Sequence, residues 1–204
     1  MQNTLLKWQQ VGNEARKSAE EILLSLQAAQ QTHDLLAHRD ILNLDTQTRL
    51  KHMILHFLKY SGKMAIAQEN RDEKLLINTL IDTFIICLAT ANALNVSLGA
   101  DLNILTSDLK SLGIELSKNF RKEKIHEHAL IELVTTAGRM AKSIESTDHL
   151  ERGNPRAELE KLIVELSSAM LGISGLINFT LQDEIEKRWK IIETKSIFSR
   201  TVKS

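Results

Sequence analysis

His52 and His56 stand four residues apart in a segment with helical patterning, so their rings project from one helix face. Two imidazoles in that register are half of a site for a borderline metal such as Zn²⁺ or Ni²⁺. A second segment supplies His128 and, where the counterpart of His56 falls, Glu132. If the two segments face one another, His52, His56, His128 and Glu132 form a four-ligand set. The competing reading is histidines hydrogen-bonded inside a helical core. His33 and His38 fall in an irregular polar stretch and read as surface residues. Ser61, Thr135 and Thr136 lie inside helical segments with no His–Asp arrangement to activate them as nucleophiles. No Gly-x-x-x-x-Gly-Lys-Ser/Thr loop is present to cradle phosphates, and Gly62, Gly138, Gly172 and Gly175 read instead as sites of close helix approach.

The elements that carry these residues are helices. One proline and eight glycines in 204 residues leave room for long uninterrupted helices, and no stretch alternates as a strand does. The spacing predicts an N-terminal helical region over 4–37, a turn within 33–44, and a helix from about 46 to 69 with Asp45 as its N-cap. Asn70-Arg-Asp-Glu73 has the form of a capping box opening a helix through Leu94. Ser97 is placed as the cap of a further helix ending near Lys118. A basic connector leads to a helix over about 125–145, followed by a polar loop at 146–153. Asn154-Pro155 then starts a helix to about Ile177, because proline at the first helical position loses no hydrogen bond. Thr180-Leu-Gln-Asp183 opens a last helix through about Ile197. The fold class is all-α, a helical bundle in one domain.

Charge and cysteine usage narrow the partners. The 26 basic and 26 acidic residues balance, so no overall field recruits nucleic acid or an anionic membrane. The longest apolar run, about 12 residues ending at Leu94, is too short to span a bilayer. A single cysteine, Cys87, inside an apolar run excludes an intrachain disulfide, and with no leader-like start at Met1 the expectation is a reducing, cytoplasmic location.

The chain also matches itself. At an offset of 76, His52 matches His128, Gly62 matches Gly138, Lys63 matches Arg139, and Met64-Ala65 matches Met140-Ala141. At an offset of 83, Leu80-Ile81-Asp82 matches Ile163-Val164-Glu165, and Asn95-Val-Ser-Leu98 matches Asn178-Phe-Thr-Leu181. The change of offset puts seven extra residues in the second half, in the 146–153 loop. Residues 1–44 form an N-terminal region, and 45–118 and 125–197 two repeats of a helical hairpin followed by a third helix. Two such hairpins about a pseudo-two-fold axis make a four-helix core.

At 50–111 and again at 126–195, the chain resembles the MazG-like all-α nucleoside triphosphate pyrophosphohydrolases. The best match is Asp82-Thr-Phe-Ile-Ile-Cys-Leu-Ala-Thr-Ala-Asn-Ala-Leu-Asn-Val-Ser-Leu98, which is similar to that superfamily's second helix and its exit. The resemblance implies a metal-dependent hydrolase in which three or four carboxylates hold Mg²⁺ against a triphosphate, and a tendency to form homo-oligomers. It implies acids at Lys59, Tyr60 and Lys63 in the first repeat and at Thr135, Thr136 and Arg139 in the second. The Glu-x-x-Asp pair falls on Thr79 with Asp82 and on Leu162 with Glu165, so one acid per repeat remains.

Two readings of Lys63 and Arg139 follow. They form salt bridges with Asp82 and Glu165 where the metal would sit, or they bind phosphate directly, as Arg forks do. Arg188, in Arg188-Trp189-Lys190, resembles the basic end of the superfamily's last helix, which touches phosphates in relatives; a solvated last turn explains it equally. The candidate phosphate contacts are therefore Lys63, Arg139 and Arg188, and the candidate metal ligands are Asp82, Glu165, His52, His56, His128 and Glu132. The function classes that remain are a divergent or weak nucleotide pyrophosphohydrolase that binds nucleoside triphosphates, with Mg²⁺ as a possible cofactor, and a non-enzymatic helical bundle for protein contacts or self-assembly.

Overall fold

A computed structural model describes residues 18–102 and 105–195. The sequence expectations for 4–17 and for the end of the last helix near Ile197 lie outside the described residues. Among those described are nine α-helices and no strand. They are α1 Ala19–Ala37, α2 Arg39–Leu42, α3 Thr46–Asn70, α4 Glu73–Leu94, α5 Leu98–Leu102, α6 Leu109–Ser117, α7 Ile125–Asp148, α8 Pro155–Ile177 and α9 Leu181–Lys195. A single 3₁₀ turn, Lys122–Lys124, precedes α7.

Capping side chains set the helix starts. Ser18 opens α1 with a reciprocal capping box, its hydroxyl accepting from the Glu21 N–H while the Glu21 carboxylate accepts from the Ser18 N–H. Asp45 accepts from the Thr48 N–H at 3.0 Å to open α3, and Asn154 accepts from the Ala157 N–H at 3.1 Å to open α8, with Pro155 in the first position. At 70–73 the expectation needs correcting. Asn70 is the last residue of α3, Arg71 turns left-handed at φ 50°, and Asp72 is the cap of α4, accepting from the Leu75 N–H at 2.9 Å. The helix expected from Ser97 to near Lys118 is two helices, α5 and α6, the second opened by Asp108. The segment between them is anchored where the Ala19 N–H donates to the Thr106 carbonyl at 3.1 Å.

Four long helices close a ring: α3 packs on α4 and α7, and α8 packs on α7 and α4. Sequence-matched positions are buried alike. Phe57 and Leu133, Met64 and Met140, Leu80 and Ile163, and Leu88 and Leu171 are all at most 1% exposed. α4 and α8 end in the same way, with Asn95 and Asn178 left-handed at φ 58° and 57°, a conformation asparagine tolerates. The next helix then begins on a buried leucine, Leu98 or Leu181. The shorter helices cross over: α6 lies on α8, while α9 lies on α4 and α1. α1 covers α4 and α5, so only the first hairpin is roofed. α4 is long and apolar enough to cross a bilayer, yet 72% of that apolar stretch is buried inside the bundle.

The glycines divide. A Cβ on Gly175 would collide with the Gly113 carbonyl, where α6 and α8 approach backbone to backbone, and one on Gly172 would press less closely on Phe120 and Leu116. Gly62 and Gly138 have open space around them, so the close-approach reading is wrong for that pair. Both sit on exposed helix faces. Gly62→Ala and Gly138→Ala are each expected to raise unfolding stability by about 0.5–1 kcal/mol, because alanine loses less backbone entropy in a helix. Gly175→Ala is expected to lower it by about 1–3 kcal/mol through overpacking. Urea unfolding of the three variants checks both signs.

Candidate functional site

α1, α2, α3, α4 and α9 enclose a cavity of about 330 Å³. α3 supplies its polar stripe: Arg49, His52, His56, Lys59 and Lys63 recur at helical spacing and line one wall. α4 contributes Asp82 and an apolar floor of Ile85, Ile86 and Ala89; α9 contributes Arg188. The positions where the resemblance called for first-helix acids, Lys59, Tyr60 and Lys63, thus meet Asp82 in one place.

Asp82 is 5% exposed. Arg188 grips it with both prongs, Nε donating to Oδ1 at 2.6 Å and Nη2 to Oδ2 at 2.9 Å. Lys63 Nζ stands 4.0 Å from the same Oδ2. The Lys63–Asp82 pair expected from the repeat is present, but it is the weaker contact. Arg188 is not a solvated last turn: it lies two-thirds covered against Asp82, and the hydrogen bond to that carboxylate raises its pKa further above the usual guanidinium value.

His52 and His56 are bonded to each other, Nε2 to Nε2 at 3.1 Å. The Lys59 ammonium donates to His56 Nδ1 at 2.9 Å. His56 must therefore carry its proton on Nε2 and donate it to His52. Burial first, and the Lys59 charge second, push His56 down from 6.5 to about 4, so it is neutral at pH 7. Burial and the neighbouring Lys63 charge also lower the Lys59 pKa. Both ammonium groups approach the Tyr60 ring, at 4.5 and 5.4 Å from its centre, and burial pushes the Tyr60 hydroxyl upward. Four cations, Arg49, Lys59, Lys63 and Arg188, face two carboxylates, Asp34 and Asp82, across this space.

The expected convergence of His52 and His56 with His128 and Glu132 does not occur. His128 stays at the start of α7, where its Nε2 accepts from the Arg121 N–H at 3.2 Å and its ring packs against Phe120. His33 and His38 are not surface residues: His33 is 4% exposed, His38 is half-buried, and both line the cavity with Asp34. The hydroxyls of Ser61 and Thr135 bond carbonyls of their own helix, which fits no nucleophile.

The second hairpin builds no counterpart. Arg139 pairs with Glu165 at 3.0 Å and also with Glu158 at 2.8 Å, a partner missed in the sequence although it lies on the Glu165 face of α8. This cluster is exposed and unroofed. At the offset of 83, the counterpart of Arg188 is Leu105, which is 93% exposed. As a donor set for Mg²⁺ the residues fit poorly. Asp82 is already bridged by Arg188, Glu165 and Glu158 hold Arg139, and the first-acid positions Thr79 and Leu162 are buried in the core at 1% and 0% exposed.

The chain matches no family model, no curated protein and no solved structure.

Two outcomes follow from this geometry. Arg188→Ala leaves a buried carboxylate with Lys63, 4.0 Å away, and the more distant Lys59 as its cations. It is expected to cost about 2–3 kcal/mol in urea unfolding, below the full cost of breaking a buried pair because Arg188 keeps some water contact. For His56, the unfolded chain takes up a proton below about pH 6.5 that the folded chain refuses until about pH 4. Its contribution to stability is therefore lost as pH falls through that window. Asp34, raised by burial to about 6, works the opposite way. His56→Gln should flatten the stability loss between pH 7 and 5, and an unchanged slope would refute the assignment.

Proposed function

We propose that the chain is an internally duplicated MazG-like bundle whose cavity binds a phosphorylated small molecule of the nucleoside triphosphate class, through cations and not through a carboxylate-held Mg²⁺. One observation carries this reading. Lys59 and Lys63 lie side by side on the cavity wall while Asp82, the acid beside them, is committed to Arg188. Among the described residues Lys59 has no carboxylate within 4.0 Å. Two partly desolvated ammonium groups that repel one another are relieved by an anion placed between them. The floor of Ile85, Ile86 and Ala89 suits an apolar ring. Arg139 is excluded from the phosphate contacts because two glutamates already neutralise it.

Calorimetric titration with a panel of nucleoside and deoxynucleoside triphosphates tests this, with and without Mg²⁺. Lys59→Ala and Lys63→Ala should each weaken binding about tenfold, the ~1.4 kcal/mol of one charge-assisted contact, while Arg139→Ala binds like the wild type. No binding below millimolar concentration, or full affinity in both lysine variants, refutes it. Pyrophosphate release that depends on Mg²⁺ or Mn²⁺ would establish the hydrolase instead.

A second reading, self-assembly, is favoured by one repeated feature. Leu55 and Leu58 on α3 are 63% and 44% exposed, and their counterparts at the offset of 76, Ile131 and Val134 on α7, are 47% and 41% exposed. The same apolar pair thus recurs on the outside of both hairpins, as an interface with a second copy would use it. Light scattering should show a dimer that Leu58→Glu combined with Val134→Glu dissociates; a monomeric wild type sinks this reading.

A further inference from the structure

We propose that His33, Asp34 and His38 form a binding site for a late first-row divalent metal, Zn²⁺ in the first instance, at the α1 wall of the cavity. Their ligand atoms all lie within 4.8 Å of one another, and among the described residues no other group of three or more does so. Two imidazoles and one carboxylate are the donors of borderline metals, unlike the all-oxygen shells of Mg²⁺ or Ca²⁺. The site does not depend on the phosphate reading of the cavity.

The surroundings of His33 point to a ligand independently. His33 is 4% exposed, and its Nδ1 stands 3.1 Å from Glu193 Oε1. An ionised carboxylate only accepts, so Nδ1 carries a proton, and in the neutral ring Nε2 is a bare lone pair. That Nε2 is buried and has no hydrogen-bond partner. A buried acceptor left unsatisfied is costly, and an imidazole whose outer N–H is fixed on a carboxylate is in the form that ligates a metal. Asp34 is held in the same manner. Gln30, 2% exposed, donates to Asp34 Oδ1 at 2.8 Å while its own oxygen accepts from Trp189 Nε1 at 2.7 Å. Trp189 also stacks on the His33 ring, with centres 6.0 Å apart. Two of the three ligands are thus oriented by outer partners, Glu193 and the Gln30–Trp189 pair.

The helix end makes the third ligand possible. Along a continuous α-helix, His38 would lie about 140° around the axis from His33. α1 stops at Ala37, and His38 leaves the helical conformation at φ −137°, ψ 41°, bringing its ring centre within 5.5 Å of that of His33. Burial lowers the His38 pKa, keeping the ring neutral and available, and burial raises that of Asp34 to about 6, a cost a bound cation would relieve. The charges that act on Asp34 are those of His33 first and Arg49 second. The remaining coordination position opens toward the cavity that the three residues line.

The test uses the full-length untagged chain stripped with a chelator. Zn²⁺ is titrated against a chromophoric chelator competitor, and Co²⁺ is followed by its visible d–d absorption. The expectation is one equivalent bound with a dissociation constant at or below about a micromolar, undisturbed by millimolar Mg²⁺. His38→Gln and Asp34→Asn, both at half-buried positions, should weaken Zn²⁺ at least 100-fold and abolish the Co²⁺ spectrum. Glu193→Gln, which touches no metal, should weaken it about 10–100-fold. Circular dichroism confirms that each variant is folded, and His33→Gln is scored only if it is. Absence of a stoichiometric site, displacement by Mg²⁺, or a site lost in His52→Gln or His56→Gln but kept in His38→Gln would each overturn the assignment.

Discussion

An ionised carboxylate in a wall of packed helices cannot stay there without a cation bonded to it, and Asp82 is such a group at 5% exposure. Its cation is Arg188, 106 residues further along the chain. To deliver that guanidinium, α9 must fold back across the first hairpin, away from the second hairpin that precedes it. Its next residues arrive with it. Trp189 meets Gln30 and the His33 ring, and Glu193 meets His33 Nδ1. The closed side of the cavity, the orientation of His33 and the hold on Asp34 therefore come with the helix that this bidentate ion pair and the buried Leu181 and Ile185 dock.

The same constraint explains why the two hairpins differ. Matched core positions are buried alike, so packing treats them as equivalents. The polar positions are not equivalent. Where α9 brings Arg188 to Asp82, the position that corresponds at the offset of 83 is the exposed Leu105, between α5 and α6. Glu165 therefore stays at the surface with Arg139, Lys161 and water, in an ion-pair cluster that contributes little to stability. Only the first hairpin is roofed by α1, and only there do cations lose enough water for their charges to matter to one another.

Within the cavity the polar groups fall into two sets. On the α3 side, Lys59, His56 and His52 form a chain of hydrogen bonds that satisfies the two histidines and leaves positive charge facing the space. On the α1 side, His33 keeps an unpartnered nitrogen beside Asp34 and His38. The paired histidines at i, i+4 drew attention in the sequence, yet they are bonded to each other. His33, in a stretch that looked irregular, is the one of the cavity's histidines with a buried, unpartnered nitrogen.

The all-α class, the Asp45 and Asn154 caps and the four long helices were legible in the sequence, because capping and helical periodicity are decided within a few residues of chain. The two repeated ion pairs, Lys63 with Asp82 and Arg139 with Glu165, were also legible, since neighbouring helices of one hairpin carry them. The division into α5 and α6 and the true cap at Asp72 were not, the latter because Asn70 and Asp72 have the same capping chemistry and only the left-handed Arg71 chooses between them. Most of the site was hidden. Which acid Arg188 meets, which histidines are buried and which hairpin is roofed depend on contacts between residues 65 to 160 positions apart. The local pattern establishes which groups share a helix face. Only the tertiary structure decides which of them lose water, and the loss of water is what turns a lysine, a histidine or an aspartate into a site.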